Sequence, residues 1–247
     1  MPILILGGTG EARELAAALH RDNVAAISSL AGRVARPRLP VGEVRIGGFG
    51  GPEKLAEWLG EERIDAIVDA THPFAERISA SAAQASARVG VPLLRLERSG
   101  WSARDGDRWS WADDLDGAAA LIPPGARVLL TTGRQGLPAF ASVEDAFFLV
   151  RCVDPPDPPL PSHHELLLDR GPYTLAGELE LIDAHRLDLV VTKDSGGALT
   201  EAKLDAARER GLPVIVVRRP ARVAGSAVVA SVDEAVAWVR ARLAHPG

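Results

Sequence analysis

The chain has 247 residues, 47% of them apolar, 25% charged and 4% aromatic, with a net charge of −5 and a single cysteine. That size fits one large α/β domain or two small ones. The lone Cys152 excludes an internal disulfide, a cysteine-held iron–sulfur cluster and a cysteine-rich zinc site, and the lack of a lysine-rich run argues against general nucleic-acid binding. No apolar run reaches the roughly 18–20 residues of a membrane span, and the first residues read as a strand instead of a charged leader, so a cytoplasmic, non-membrane protein is expected.

Strand-like runs alternate with amphipathic helices from the start, the pattern of βαβ units around parallel sheets. Strands are predicted at 3–6, 24–29, 43–46, 66–69 and 93–96, and helices at 11–20, 52–61 and 75–89. The stretch 98–111, with its turn formers, charges and three tryptophans, reads as a domain crossing. Strands follow at 128–131, 147–150, 189–192 and 214–217, with helices at 174–185, 200–210 and 232–243. The last helix carries Ala235, Val236, Val239 and Leu243 at helical spacing. Residues 154–161, five of them proline, read as a stiff surface loop. The expected organisation is α/β throughout, with one lobe at 1–98 and a second at 99–247.

In open parallel sheets ligands bind beyond the carboxyl ends of the strands. After the first strand comes Gly7-Gly-Thr-Gly10, then Glu11 and Ala12 opening a helix. Gly8, Thr9 and Gly10 let the backbone approach a pyrophosphate, and Ala12 replaces the third small residue of the usual fingerprint, which would fall at Arg13. The other reading is a purely structural turn. After the second strand Ser28, Ser29 and Arg33 stand where an acidic residue would grip the ribose of NADH, and they suit a 2′-phosphate, pointing to NADPH; a serine turn with a surface arginine is the alternative. The third strand ends in Gly47-Gly-Phe-Gly-Gly51, a ligand-facing loop around Gly48 or a tight structural turn.

The fourth strand ends in Asp69-Ala-Thr-His-Pro-Phe-Ala75. Pro73 pushes His72 toward an extended conformation that holds its ring at the strand tip. Asp69, Ala70 and Thr71 lie where the inner ribose and nicotinamide should reach, although Asp69 equally suits a strand-end capping role. Two later loops, Thr131-Thr-Gly-Arg-Gln-Gly136 and Thr192-Lys-Asp-Ser-Gly-Gly197, join glycine to hydroxyl and cationic groups fit for carboxylate or phosphate. They carry Gly133, Arg134 and Gln135, and Lys193, Asp194, Ser195 and Gly196, with Arg218 beyond the last of these strands. A solvated Lys193–Asp194 pair at a helix start is the plainer reading. His163 and His164 lack companions at metal-ligand spacing.

Taken in order, these six loops resemble the precorrin-6A reductase family of corrin biosynthesis, with its relatives acting on cobalt-precorrin-6A. The resemblance spans nearly the whole chain. It implies two Rossmann-like lobes, NADPH mainly on the first, and a tetrapyrrole substrate in a cleft to which the second contributes. It further implies hydride transfer to the ring-D C18–C19 double bond, with a proton from His72, Asp194, Lys193 or solvent. Precorrins carry many acetate and propionate groups, which Arg134, Lys193, Arg218 and Arg219 suit. A short-chain dehydrogenase is excluded because the only tyrosine, Tyr173, has Gly177 where the catalytic lysine should stand. The cobalt form of the substrate and a noncatalytic NADPH-binding module remain as alternatives.

Overall fold

The computed structural model describes residues 2–32, 36–222 and 226–244. The chain first lays down β1 (Ile3–Leu6), α1 (Gly10–Arg21), β2 (Ala26–Leu30), β3 (Glu43–Ile46), α2 (Pro52–Glu61), β4 (Ala66–Asp69), α3 (Glu76–Val89) and β5 (Leu93–Leu96). It continues through β6 (Arg108–Ala112), α4 (Leu115–Ala120), β7 (Arg127–Leu130), a 3-10 turn (Arg134–Phe140), β8 (Phe147–Cys152) and β9 (His164–Leu168). Then come α5 (Leu175–His185), β10 (Leu189–Lys193), a short 3-10 turn (Ala198–Thr200), α6 (Ala202–Glu209), β11 (Pro213–Val217), β12 (Ala227–Val229) and α7 (Val232–Ala244). No described helix is long and apolar enough to cross a membrane.

These elements form two compact units, Met1–Ser99 with Pro220–Gly247, and Gly100–Arg219. The second lobe expected at 99–247 is therefore corrected: residues 220–247 return to the first unit. The physical reason is pairing. β12 adds to β5 in parallel register, and α7 covers that end of the sheet with Ala235, Val236 and Val239. With β12 in place the first sheet runs β3-β2-β1-β4-β5-β12, all parallel, which is the doubly wound order of dinucleotide-binding folds. The second unit is thus inserted between the fifth and sixth strands of that sheet.

The central strand β1 is wholly buried, and its alternate residues feed two different cores. Ile3 and Ile5 pack with Leu15 and Leu19 of α1 and with α7, whereas Leu4 and Leu6 pack with Leu55 and Leu59 of α2 and with Ala82 and Ala85 of α3. Each fully buried leucine stabilises the sandwich by roughly 2 kcal/mol. The second sheet, β6-β11-β10-β7-β8-β9, is also parallel throughout. Leu129, Val190 and Val214 on one of its faces meet Ile182 of α5 and Leu204 of α6. Phe140 of the long 3-10 turn meets Phe148 of β8, ring centres 6.1 Å apart. The proline-rich stretch 154–161 has no regular structure, as its composition requires.

Candidate active site

Each sheet reverses its strand order once, the first between β1 and β4, the second between β7 and β10. Such reversals open a crevice beyond the strand ends. In the first unit the loops that flank the reversal are the Gly7–Gly10 turn and the Asp69–Thr71 segment, and Thr9 joins them. Its Oγ1 donates to the Ala70 carbonyl at 2.7 Å and accepts from the Ala12 N–H at 3.1 Å, capping α1. Ala12 itself points into the core. Gly8 has φ +117°, and no atom lies within 4 Å of the place a Cβ would occupy, so the backbone there is strained for any other residue and open to a ligand. Glu11, in the first turn of α1, is paired with Arg98 at 2.7 Å, which offsets its charge.

Ser28 and Ser29 are buried within β2. Adjacent strand residues face opposite sides, so the two hydroxyls cannot cradle one phosphate together. Ser28 Oγ has no hydrogen-bond partner among the described residues. Arg33 lies outside the described residues. At the next strand end, Arg45 holds the glycine loop: Nη1 donates to Gly47 O at 2.6 Å and Nη2 to Gly48 O at 3.1 Å, with the guanidinium 3.9 Å from the centre of the Phe49 ring. Space around Gly48 is open. Arg45 was not among the expected site residues; its signal is a cation in β3 two residues before the glycine run.

Asp69 is 2% exposed and fully engaged. Its Oδ1 accepts from the Thr71 N–H and Oγ1 and pairs with Arg95 at 2.8 Å; its Oδ2 accepts from Ser79 Oγ at 2.6 Å. Arg95 continues to Glu97 at 3.2 Å, and Glu97 to Arg222 at 3.0 Å, where the chain re-enters the unit. Burial alone would raise the Glu97 carboxyl, but the Arg222 hydrogen bond and the Arg95 charge hold it below its ordinary value. Asp69 thus ties β4, β5 and α3 together at the crevice floor. His72 uses its Nδ1 to accept from the Phe74 N–H at 3.3 Å.

In the second unit Gly133, Arg134 and Gln135 after β7 stand across the reversal from Lys193, the last residue of β10, and from Ser195 and Gly196 beyond it. Arg134 donates to Pro155 O at 3.3 Å and reaches Asp154 at 4.0 Å, tethering the proline loop. Arg218 lies one strand further along, 5.0 Å from the Trp111 ring centre and 3.2 Å from Asp113. Asp194 is held at two points. Its Oδ1 accepts from the Trp101 N–H at 2.9 Å and its Oδ2 pairs with Arg219 at 3.2 Å, so one carboxylate fastens both points where the chain passes between units. Gly100 makes this possible: a Cβ there would lie 2.4 Å from Asp194 Oδ2. Among the described residues no group of His, Cys, Asp and Glu could hold a metal ion.

Fold and site together define a two-unit α/β protein of the Rossmann type, with a dinucleotide-style glycine turn at the reversal of its first sheet. A family model described as precorrin-6x reductase CbiJ/CobK matches residues 2–240, and the chain belongs to that family. It is 56% identical over 239 residues to the precorrin-6A reductase of Rhodococcus erythropolis, covering 96% of each chain. It is 29% identical over 231 residues to the cobalt-precorrin-6A reductase of Priestia megaterium, covering 88% of this chain and 90% of that one. The solved structure of CobK precorrin-6A reductase, 42% identical, superposes with a TM-score of 0.92 over 98% of this chain and 96% of its own.

Proposed function

We propose that the chain reduces precorrin-6A to precorrin-6B with NADPH, adding hydrogen across the ring-D C18–C19 double bond in corrin biosynthesis. The observation that carries this reading is its end-to-end likeness to a precorrin-6A reductase, at nearly twice the identity it shares with a cobalt-precorrin-6A reductase. That difference favours the metal-free macrocycle.

The first crevice fits the cofactor. Open space at Gly8 and Gly48 admits a ligand to the backbone, and the N–H groups of Gly10 and Glu11 open α1 beside it, a setting that favours pyrophosphate. Thr9, Ala70 and Thr71 keep the two loops in register, and Asp69 supports them from below. When bound, NADPH would supply the hydride. At the second reversal Gly133, Arg134, Gln135, Lys193, Ser195 and Gly196, with Arg218 nearby, suit the acetate and propionate groups of the substrate. One proton must accompany the hydride. We assign it to Lys193, which ends β10 at the second reversal. A reducing cytoplasm suits both the cofactor and the free Cys152.

Anaerobic absorbance spectroscopy with NADPH and metal-free precorrin-6A tests the reading. Loss of the nicotinamide band coupled to a macrocycle shift is expected. Turnover of the cobalt form alone would reassign the substrate, and no coupled change with either would remove the reductase reading.

A further inference from the structure

Beside the β10–α6 loop of the second unit lies a buried charge cluster that hydride transfer does not use. Lys203, in the first turn of α6, is 3% exposed. Its Nζ donates to the Thr200 carbonyl at 2.5 Å and stands 4.6 Å from the centre of the Trp101 ring. The charges that act on it come from three places: Arg151 on β8, Glu178 on α5 and Glu201 immediately before α6. Arg151 and Glu178, 6% and 2% exposed, pair through Nη1 and Oε1 at 2.5 Å. The second carboxylate oxygen of Glu178 is buried with no hydrogen-bond partner among the described residues.

These contacts close a circuit around the loop. Asp194 begins it and accepts from the Trp101 N–H; the Trp101 ring faces the Lys203 ammonium; Lys203 holds the carbonyl of Thr200, which ends it. A second hold comes from the Tyr173 N–H on the Leu199 carbonyl at 3.4 Å, and the Tyr173 ring is itself covered by Arg151 at 3.9 Å. An interior ammonium costs several kcal/mol unless close partners offset it. A methionine would fill the same space at less cost. The charge therefore has a use beyond packing, and the loop is what it grips.

We propose that Lys203 is a positioning residue for an anionic substrate: from inside the second unit it fixes the shape of the Asp194–Thr200 loop, and its charge favours carboxylates seated there. The inference rests on reading that loop as the substrate's seat. Burial draws the Lys203 ammonium down to about 7, the Arg151 charge adding to the fall while Glu178 and Glu201 oppose it. Near neutrality the amine is consequently part charged and part neutral. A carboxylate arriving at the loop favours the charged form, and binding takes up a proton.

The test is equilibrium binding of precorrin-6A, without NADPH, from pH 6 to 9 for the wild type, Lys203→Met and Lys203→Arg, with NADPH binding measured alongside. Substrate carboxylates are ionised across that range and contribute no inflection. The wild type should lose affinity several-fold as pH rises through about 7. Lys203→Met should bind weakly, by about tenfold at pH 6, with no inflection, whereas Lys203→Arg should bind tightly at every pH. NADPH affinity should be the same in all three. An unchanged inflection in Lys203→Met, or equal loss of both ligands in that variant, overturns the proposal. Should Lys203→Met not fold, an inflection retained by the permanently charged Lys203→Arg does the same. A wild type that binds no precorrin-6A at any pH removes the functional reading and this inference with it, a result distinct from all of these.

Discussion

Thr9 and Ala70, 61 residues apart, are joined by a 2.7 Å hydrogen bond from the threonine hydroxyl to the alanine carbonyl, directly at the reversal of the first sheet. The same hydroxyl caps α1. Thr9→Val keeps the side-chain shape and removes both bonds. It should cost about 1–2 kcal/mol in urea unfolding and raise the KM for NADPH several-fold while leaving the KM for the tetrapyrrole unchanged. Intact NADPH affinity would show that the two loops keep their register without the bond.

Gly8→Ala meets no neighbour, so its penalty comes from φ +117° alone. Strain of about 1–3 kcal/mol is expected, readable as a lowered Tm. The added methyl also stands in the space offered to the pyrophosphate, and NADPH affinity should fall by about tenfold or more. A variant that is destabilised yet binds NADPH normally would move the cofactor away from this turn.

Asp194 and Lys193 are neighbours with opposite expectations. Asp194→Asn retains an oxygen for the Trp101 N–H and should keep kcat within a few-fold, whereas Gly100→Ala drives a methyl into the carboxylate and should destabilise the protein by about 1–3 kcal/mol. Lys193→Met should lower kcat by about 10²–10⁴ with little change in NADPH affinity. If instead Asp194→Asn removes turnover in a fully stable protein, the proton assignment reverses.

The Lys203 amine sits at about 7 in the folded protein against an ordinary 10.5. Between those values the unfolded chain binds more protons, so this group's penalty is complete below pH 7 and is relieved as pH rises toward 10.5. Relative to Lys203→Met, the wild type should gain stability with pH across that window, by up to about 1.4 kcal/mol per unit. Urea midpoints of the two proteins at pH 7 and pH 9 measure the difference. Parallel pH profiles would mean that the amine is solvated.

Much of the architecture was legible locally. Ile3–Leu6 and the Ala66-Ile67-Val68 stretch of β4 are continuous apolar runs, the first closed by the Gly7–Gly10 turn and the second by Asp69. What escaped was set by partners far along the chain. β12 is three residues whose only claim to be a strand is β5, and β6 and β9 are edge strands with one neighbour each. α4, six residues long, is too short to show a helical period. The networks left fainter traces: Arg95 within the buried run Leu93–Leu96 and Lys203 beside Leu204 on the buried side of α6 are charges where the pattern wants apolar residues, and each marks a counter-charge elsewhere. The opposite orientation of Ser28 and Ser29 was readable too, since alternation along a strand requires it.

Because the sixth strand of the nucleotide-type sheet is the last to be made, synthesis and assembly run in different orders. The inserted unit is contiguous and is complete once Arg219 has left the ribosome, while the earlier-made unit still exposes the β5 edge and the bare face of α1 that α7 will cover. A nascent chain paused there carries an unpaired strand edge beside apolar side chains, the combination that recruits wrong partners. Substitutions or deletions within β12 or α7 therefore act on the amino-terminal unit, and its folding in the cell will depend on how quickly β12 reaches its place.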